Sequence, residues 1–180
     1  MKKSEIRKKI FKLRKKIYLK NKYLDTNKII NFLNKKKTKK KIIGGYYPYN
    51  YEIDILDILN NLEKKNYRIS LPKIEKNNKM NFYSWSLDEP LLINDYGIPE
   101  PISKRKVYPE ILLIPLVGFD NEFNRLGYGG GFYDRYLAKK GNSKKILKIG
   151  VGFSIQKVSK IPTNQYDVSL DNIITEKKIY

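Results

Sequence analysis

Four consecutive apolar residues, Ile111-Leu112-Leu113-Ile114, constrain the fold of this 180-residue sequence more than any other feature. A strand with one face in water alternates apolar and polar side chains, whereas an unbroken apolar run is typical of a strand covered on both faces. A glycine-rich segment, 127–131, follows this run, and residues 132–140 favour a helix. The chain is therefore expected to contain a buried strand that leads through a glycine-rich turn into a helix.

The other periodic segments alternate between helix and strand. Helices are predicted at 4–19, 26–34 and 52–65, and strands at 41–47, 67–71, 80–85, 146–153 and 172–175. Ser4 is the expected N-cap of the first helix, Pro72 the expected end of the second strand, and 80–85 a candidate edge strand. The stretch 89–109 contains four prolines and is predicted to be mostly irregular. The alternation predicts one α/β domain over residues 1–180, built on a largely parallel sheet.

The first helix is predicted to be amphipathic. Its apolar stripe consists of Ile6, Ile10, Leu13 and Ile17. Lysine and arginine fill the opposite face, and a basic run follows the second helix at 35–41. These charges are typical of solvated helix faces.

The sequence contains neither cysteine nor histidine. The lack of cysteine excludes disulfides, thiolate metal sites and cysteine nucleophiles. The lack of histidine excludes Ser-His-Asp triads, histidine zinc sites and the commonest general base near neutral pH. Any chemistry must therefore use carboxylates, lysine, arginine, tyrosine, backbone amides or a bound metal.

The formal net charge of +20 favours anionic ligands, but it is weak evidence for a nucleic-acid surface. Of the 38 basic residues 32 are lysine, which together with frequent Asn, Ile and Tyr is typical of an AT-rich coding sequence. The first seven residues are too highly charged for a signal peptide, and the longest apolar run, 111–119, is too short to span a bilayer. We expect a cytoplasmic protein that does not bind membranes.

The segment 125–134 is the strongest candidate for a binding site. Four of the five residues 127–131 are glycine, and they lie between a buried strand and a helix. Glycine lets backbone amides approach an anion, the helix N-terminus adds its dipole, and Arg125 could add a charge-assisted contact. The segment lacks the Gly-Lys-Ser/Thr ending of a Walker A loop, and Phe132 replaces the last glycine of a dinucleotide fingerprint. From these residues alone, a tight packing turn remains an alternative to a phosphate site.

A series of short motifs, in a fixed order along the chain, is more specific than the glycines. They are Lys3-x-x-x-Arg7, Tyr47-Pro48-x-x-x-Glu52-Ile53-Asp54, Tyr96-Gly97-Ile98-Pro99-Glu100-Pro101, Gly118-Phe119-Asp120, Arg125-Leu126-Gly127-x-Gly129-x-Gly131-Phe132-Tyr133-Asp134, Phe153-x-x-Gln156, Pro162-x-x-x-x-Asp167 and Ile174-Thr175-Glu176. Together they closely resemble the motifs of the 5-formyltetrahydrofolate cyclo-ligase family, the methenyltetrahydrofolate synthetases. The resemblance covers essentially the whole chain.

This resemblance implies an ATP-dependent ligase that converts 5-formyltetrahydrofolate into 5,10-methenyltetrahydrofolate, ADP and phosphate. The formyl oxygen would attack the γ-phosphate, N10 of the folate would add to the activated carbon, and phosphate would leave as the ring closes. The resemblance also implies Mg²⁺ as cofactor and a three-layer fold, a mostly parallel sheet with helices on both faces, of the Rossmann-like NagB/RpiA/CoA-transferase type. The expected ligands are ATP and the folate, with or without a polyglutamate tail, and we expect a monomer without a specific nucleic-acid partner.

The resemblance assigns roles to individual residues. The ATP-binding residues would be Lys3, Ser4, Glu5, Ile6, Arg7, Arg125, Leu126, Gly127, Tyr128, Gly129, Gly130, Gly131, Phe132 and Tyr133. The folate would be bound by Tyr47, Glu52, Tyr96 and the loop Gly127, Tyr128, Gly129, Gly130 and Gly131. Asp134 and Asp167 would hold the metal, and Arg125 and Asp134 would be the catalytic residues.

Several of these residues also have structural interpretations. Lys3 and Arg7 would lie on one helical face and could be merely solvated, while Asp134 could be a charge in the first turn of a helix. Glu52 could likewise be an N-terminal helix residue, and the two tyrosines, Tyr47 and Tyr96, could belong to the core. One position departs from the family pattern, because Tyr128 occupies a place where many relatives carry Arg or Lys, which puts its polyphosphate or polyglutamate contact in doubt.

Two other function classes remain open at this point. A nucleic-acid-binding module would fit the charge and the tyrosine content, but the sequence lacks the expected pattern of interleaved arginine and aromatic residues. A different nucleotide-binding α/β enzyme, acting on a phosphorylated sugar, would fit the fold class, because similar layer folds carry many chemistries. Salt-sensitive retention on heparin or DNA would test the first alternative, and turnover of a formylated folate would test the second.

Overall fold

A computed structural model of the chain describes residues 2–20, 23–36, 38, 41–140 and 146–180. The helices are α1 (Lys3–Tyr18), α2 (Thr26–Lys35), α3 (Leu56–Lys64) and α4 (Phe132–Lys140). The strands are β1 (Ile42–Gly44), β2 (Arg68–Glu75), β3 (Lys79–Ser84), β4 (Leu91–Ile93), β5 (Pro99–Pro101), β6 (Lys106–Val107), β7 (Ile111–Pro115), β8 (Gly118–Phe119), β9 (Arg125–Leu126), β10 (Leu147–Val151) and β11 (Asn172–Ile174). The predicted basic run 35–41 lies partly outside the described residues, which omit 37, 39 and 40.

A seven-stranded sheet forms the centre of the fold, in the order β11-β10-β7-β1-β2-β3-β6. The first five strands in this order are parallel, with β7 between β10 and β1, and β3 and β6 are added antiparallel. Two small antiparallel pairs, β4–β5 and β8–β9, lie outside this sheet. The largely parallel sheet predicted from the sequence is therefore confirmed.

Both faces of β7 are buried, which explains its unbroken apolar sequence. Ile111 and Leu113 belong to a core that includes the apolar faces of α2 and α3. Leu112 and Ile114 point to the opposite core, which includes α4. Alternate side chains of one strand thus reach different helix layers. Helices on both faces of the sheet confirm the predicted three-layer α/β architecture.

Strand β2 continues to Glu75, so the predicted end of this strand at Pro72 is wrong. In an antiparallel pair, the backbone groups of successive residues point alternately towards and away from the partner strand. The Trp85 amide donates to the Ile69 carbonyl, so Ile69 points towards β3. Pro72, three residues later, therefore points its nitrogen away from β3. On that other side, β1 pairs with β2 only as far as Ser70. A proline is tolerated here because its missing N–H faces no partner strand.

The segment after β3 is more ordered than predicted. Residues 89–109, expected to be mostly irregular, contain the β4–β5 hairpin and the edge strand β6. Because β6 pairs with β3, the predicted placement of 80–85 at the sheet edge is also wrong. Gly97, in the turn of the hairpin, has φ +73°, a left-handed conformation that glycine adopts without strain.

Two helix N-termini differ from the prediction. Helix α1 starts at Lys3, so Ser4 lies in its first turn and is not the N-cap. Helix α3 starts at Leu56, where the side chain of Asp54 accepts a hydrogen bond from the Leu56 amide, so Glu52 precedes the helix. No helix of the described residues is long and apolar enough to cross a membrane.

Candidate active site

A cleft of about 1020 Å³ opens where strands β1, β7 and β10 end. Strand β2 lies on one side of β1 and β7 lies on the other, so the strand order reverses between β1 and β7. In open α/β sheets, ligands bind at the carboxyl ends of the strands at such a reversal. Residues that follow β1, β7 and β10 line the cleft, and so does the start of α1.

The glycine-rich wall, residues 125–134, forms the side of the cleft that follows β7. Gly129 and Gly131 have φ values of +113° and +66°, where side chains with a Cβ are strained. The loop leads directly into α4. The first amides of a helix have no partner within that helix, and they lie at the positive end of its dipole. This arrangement fits an anion such as a phosphate.

One ion pair lies within this wall and a second lies in the same cleft. The Lys3 ammonium lies 2.6 Å from Oδ2 of Asp167, and Nη2 of Arg125 lies 2.8 Å from Oδ2 of Asp134. The amide of Val168 donates to Oδ1 of Asp134 at 3.3 Å, which ties the segment that carries Asp167 to α4. Residues more than 160 positions apart in the sequence thus form one charged cluster.

The pKa of Asp167 lies below its ordinary value despite partial burial. Burial by itself raises the pKa, but a hydrogen bond from Lys3, the amide of Asn164 and the charges of Lys3 and Arg125 outweigh it. Asp167 is therefore ionised at neutral pH, as an oxygen ligand for a cation has to be.

The carboxylates of Asp134 and Asp167 fit the way in which Mg²⁺ binds phosphate-transfer enzymes. Mg²⁺ typically takes one or two carboxylates, and phosphate and water oxygens complete its octahedron. The described residues contain no cluster of three or more acidic, histidine or cysteine side chains that could hold a metal alone. The cleft thus offers carboxylates for a cation shared with a phosphate ligand.

The start of α1 reaches the glycine-rich wall. Nε of Arg7 donates to the carbonyl of Gly127 at 2.8 Å, and both Lys3 and Arg7 line the cleft. These two side chains are therefore not simply part of a solvated helix face. Their proximity to the loop is the arrangement that two phosphate-binding cations would need.

The Glu52 wall, residues 46–52, forms the opposite side of the cleft after β1. Glu52 is only 6% exposed, and its carboxylate accepts a hydrogen bond from the Tyr49 amide at 2.9 Å. Burial raises the pKa of Glu52 to about 7, against the opposing effects of the Tyr49 amide, the Arg14 charge and the Tyr128 hydroxyl. Because Glu52 is buried outside helix α3, its interpretation as a helix-dipole residue is wrong.

The two tyrosines predicted to bind the folate both line the cleft. Tyr47 is half-buried and Tyr96 is half-exposed, so neither is a core residue. The ring of Tyr96 stands edge-on to that of Phe132, with centroids 5.9 Å apart. The hairpin β4–β5 thus brings an aromatic edge to the glycine-rich wall. The core tyrosine of this region is Tyr46, whose hydroxyl donates to the carbonyl of Ile53.

The remaining predicted ATP-binding residues take different positions. Tyr133 and Tyr128 line the cleft, and burial raises the pKa of both hydroxyls. Ile6 packs in an apolar cluster beneath the β8–β9 hairpin, Ser4 is exposed, and Glu5 accepts a hydrogen bond from the Lys2 amide. These last three residues do not line the cleft.

Several motif residues hold the cleft in shape instead of facing it. Asp120 is buried and accepts hydrogen bonds from the amides of Glu122, Asn124 and Ile161. Gln156 donates to the carbonyls of Leu116 and Val117. Glu100 accepts from the Ile74 amide and so fixes the β4–β5 hairpin to β2. These three side chains support the loops that carry the site.

Arg14 and Arg135 are site residues that the sequence analysis missed. Arg135 lines the cleft and lies 5.2 Å from the ring centre of Phe132. Arg14 is 1% exposed and contacts the Tyr128 hydroxyl behind the cleft. The sequence carries a signal for Arg14, because Arg14 follows Ile6 and Ile10 at a spacing of four residues. In the structure these three side chains are buried, whereas Leu13, which was predicted for the apolar stripe, is only half-buried.

Proteins from other organisms are similar to this chain in sequence. The protein described as 5-formyltetrahydrofolate cyclo-ligase from Haemophilus influenzae is 33% identical over 156 residues, which cover 83% of this chain and 82% of that protein. The protein of the same description from Escherichia coli K12 is 30% identical over 145 residues, 77% of this chain and 79% of the relative.

Solved structures agree with these relatives. The 5,10-methenyltetrahydrofolate synthetase of Aquifex aeolicus superposes with a TM-score of 0.80 at 30% identity, over 99% of this chain and 92% of that chain. The synthetase from Mycoplasma pneumoniae gives 0.75 at 28% identity, over 98% and 99%. The family model for 5-formyltetrahydrofolate cyclo-ligases matches residues 1–176. The family inferred from the motifs is confirmed, and the chain belongs to the 5-formyltetrahydrofolate cyclo-ligase family.

Proposed function

We propose that this chain closes the ring of 5-formyltetrahydrofolate to 5,10-methenyltetrahydrofolate and uses ATP to activate the formyl oxygen. One observation carries the proposal: a single cleft joins the glycine-rich wall, which leads into a helix N-terminus, to a wall with one buried carboxylate and flanking tyrosines. Its volume, about 1020 Å³, lies at the upper end of the range for single small ligands, as expected for a site that holds two.

The triphosphate binds at the glycine-rich wall. The amides of Gly127–Gly131 and the N-terminus of α4 receive the phosphate oxygens, and Arg125 lies beside them. Lys3 and Arg7 already reach this wall, with bonds to Asp167 and to the Gly127 carbonyl. When a phosphate enters, these cations gain a stronger acceptor than a carbonyl, and each contact becomes charge-assisted.

The pterin ring binds at the Glu52 wall, between Tyr47 and Tyr96. An ionised carboxylate accepts two hydrogen bonds from adjacent N–H donors, which the pterin edge provides. Glu52 is the buried carboxylate of this wall, and its surroundings keep it close to half-ionised near pH 7. The bound pterin donors stabilise the charged form, so folate binding completes the ionisation of Glu52.

The reaction then needs alignment and charge neutralisation more than a proton-abstracting base. The formyl oxygen attacks the γ-phosphorus and ADP leaves. N10 then adds to the formyl carbon, whose oxygen now carries the phosphoryl group, and loses its proton. Inorganic phosphate departs as the bond between that carbon and oxygen breaks. Arg125, 5% exposed at its side chain, lies in place to offset the negative charge of the transferred group. Mg²⁺ held by Asp134 and Asp167 would neutralise phosphate charge in the same place. A chain without histidine or cysteine can provide all of these groups.

The direct test follows the near-ultraviolet absorbance of the methenyl product. Purified protein receives 5-formyltetrahydrofolate and Mg-ATP, with parallel reactions that lack ATP, lack Mg²⁺ or contain EDTA. We expect product and ADP in equal amounts only in the complete mixture. Product formation at an equal rate without ATP would contradict the proposal. ADP release uncoupled from folate would indicate another ATP-dependent substrate on the same fold.

A further inference from the structure

Arg14 is a buried cation directly behind the Glu52 wall. Its side chain is 1% exposed, and it lies on α1, four residues after Ile10. Its Nη2 donates to the carbonyl of Asn50 and to the hydroxyl of Tyr128. Its Nε and Nη1 have no hydrogen-bond partner within the described residues. A buried charge with this few partners needs a nearby counter-charge.

The turn that Arg14 contacts has an unusual backbone. Asn50 and Tyr51 have φ values of 46° and 62°, both in the left-handed region that side chains other than glycine rarely adopt in succession. The Glu52 amide donates to the Tyr49 carbonyl at 3.0 Å, and the Tyr49 amide donates to the Glu52 carboxylate at 2.9 Å. The bond from Arg14 to the Asn50 carbonyl supports this turn from behind, at the point where the backbone is least favourable.

The same guanidinium connects the turn to the glycine-rich wall. Its carbon lies 5.3 Å from the ring centre of Tyr128 and 5.2 Å from that of Phe11, within the range of cation–π contact. The Tyr128 hydroxyl in turn donates to the Tyr49 carbonyl at 3.4 Å, and the two tyrosine rings lie 6.0 Å apart. Arg14 therefore contacts both walls of the cleft without lining it.

Among the described groups that act on Glu52, only Arg14 carries a charge. The others, the Tyr49 amide and the hydroxyls of Tyr46, Tyr128 and Tyr133, are neutral at physiological pH. Burial raises the pKa of Glu52 to about 7, and the charge of Arg14 acts in the opposite direction. Without that charge, the protonated form of Glu52 would extend to higher pH.

We propose that Arg14 is a positioning residue for the folate: it holds the Tyr49–Glu52 turn and the ring of Tyr128 in place, and it supplies the counter-charge for the Glu52 carboxylate. Arg14 touches neither ligand. Because it acts through Glu52, this role rests on the folate-binding function proposed for Glu52. The geometry assigns it to folate recognition, since its one described contact with the glycine-rich wall is the side chain of Tyr128. Arg14 has no bond to the phosphate-binding residues Lys3, Arg7 or Arg125 among the described contacts.

The test separates charge from shape with two variants. Arg14→Met removes the charge and keeps an unbranched apolar side chain. Arg14→Lys keeps the charge but lacks the planar guanidinium that bonds to both the Asn50 carbonyl and the Tyr128 hydroxyl. For Arg14→Met we expect KM for 5-formyltetrahydrofolate to rise about tenfold at pH 7, as for one lost charge-assisted contact. KM for ATP should stay within about twofold, and the rising limb of kcat/KM for folate should move to higher pH.

Arg14→Lys should raise KM for folate by about threefold, a smaller loss because the charge remains, and should leave the pH profile in place. Lys16→Met, an exposed site on the same helix, is the control for charge removal and should change neither KM nor the pH profile. Equal rises in KM for ATP and folate in either variant, or a wild-type KM for folate in Arg14→Met, would overturn the proposal. If Arg14→Met does not fold, a wild-type KM for folate in Arg14→Lys overturns it.

A double variant with Glu52→Gln distinguishes this proposal from the one on which it rests. If Arg14 acts through Glu52, the effects of Arg14→Met and Glu52→Gln on folate KM should be clearly less than additive. Additive effects overturn the role of Arg14 alone. Glu52→Gln with unchanged folate affinity would instead refute the folate-binding role of Glu52, whatever Arg14 does.

Discussion

The two walls of the cleft differ in where their recognition groups come from. In the glycine-rich wall, the loop 127–131, Arg125 and Asp134 lie within ten consecutive residues between β9 and the first turn of α4. In the Glu52 wall, the carboxylate depends on Arg14 from α1 and Tyr128 from the opposite wall. A phosphate site can be assembled from local backbone amides, whereas a buried carboxylate needs charges that only the tertiary structure brings to it.

The largest expected effect tests the glycine-rich wall. Gly129→Val should abolish ATP binding, because a branched side chain is strained at φ +113° and the loop amides would lose their common orientation. Titration calorimetry measures ATP affinity, and circular dichroism checks the fold. Gly97→Val carries a similar left-handed strain in the β4–β5 turn and should keep ATP affinity. Unchanged ATP affinity in folded Gly129→Val would reduce the loop to a packing turn.

The basic start of α1 gives the next largest effect. Replacing Lys3 and Arg7 with Gln should weaken ATP binding, with each lost charge-assisted contact costing about 1.5–3 kcal/mol. The melting temperature without ligand should change little, because both side chains are partly exposed.

Lys8 and Lys12 provide the matched control for this double variant. They are also four residues apart on α1, but both are exposed and outside the cleft. Their replacement with Gln should leave ATP affinity nearly unchanged. Equal weakening by both double variants, removable with added salt, would mean that ATP senses only the overall positive charge.

Asp134 tests whether the carboxylates serve the reaction or only the ion pair with Arg125. Asp134→Asn should lower kcat by about 10² or more, because a charged oxygen ligand next to the transferred phosphate is lost. Excess Mg²⁺ should restore the rate only in part. Asp171→Asn removes a carboxylate that pairs with Lys148 away from the cleft, and its kcat should stay near that of the wild type. Wild-type turnover and metal dependence in Asp134→Asn would eliminate the metal role.

The Glu52 wall is tested by Glu52→Gln, which should weaken folate much more than ATP. The amide presents a donor to the pterin donors and loses the charge, at a cost of about 1.5–3 kcal/mol. In the wild type, kcat/KM for folate should rise with pH through about 7, as the Glu52 carboxyl ionises, and this limb should be missing in the variant. Equal weakening of both ligands would make Glu52 a structural residue.

The smallest expected effect concerns the stability of the free protein. The pKa of Glu52 is about 7 in the folded state and 4.5 in a model peptide, so between these pH values the folded chain binds more protons than the unfolded chain. The Glu52 carboxyl therefore lowers the free energy of unfolding progressively as the pH rises from 4.5 to 7. The melting temperature of Glu52→Gln minus that of the wild type should therefore be a few degrees larger at pH 8 than at pH 5. A difference that is independent of pH would mean that Glu52 is not buried in this way.

The β-sheet region shows how local signals can mislead. Pro72 reads as the end of a strand, yet β2 continues past it because no partner strand faces its nitrogen. The stretch 89–109 reads as irregular, yet Glu100 pins a hairpin there by accepting a hydrogen bond from β2. The arrangement of neighbouring strands decides the first case and a hydrogen bond to a distant residue decides the second, and neither can be seen in a local stretch of sequence.

The sequence by itself determined the three-layer α/β fold, the family and the residue types of the cleft. The unbroken apolar run of β7 and the glycines before α4 express requirements that act on neighbouring residues, namely burial on two faces and backbone freedom. Only the tertiary structure decided that Lys3 meets Asp167, that Glu52 precedes its helix and is buried, and that Arg14 lies behind it. These are matters of charge and burial, which depend on distances in space, and a linear sequence does not specify such distances.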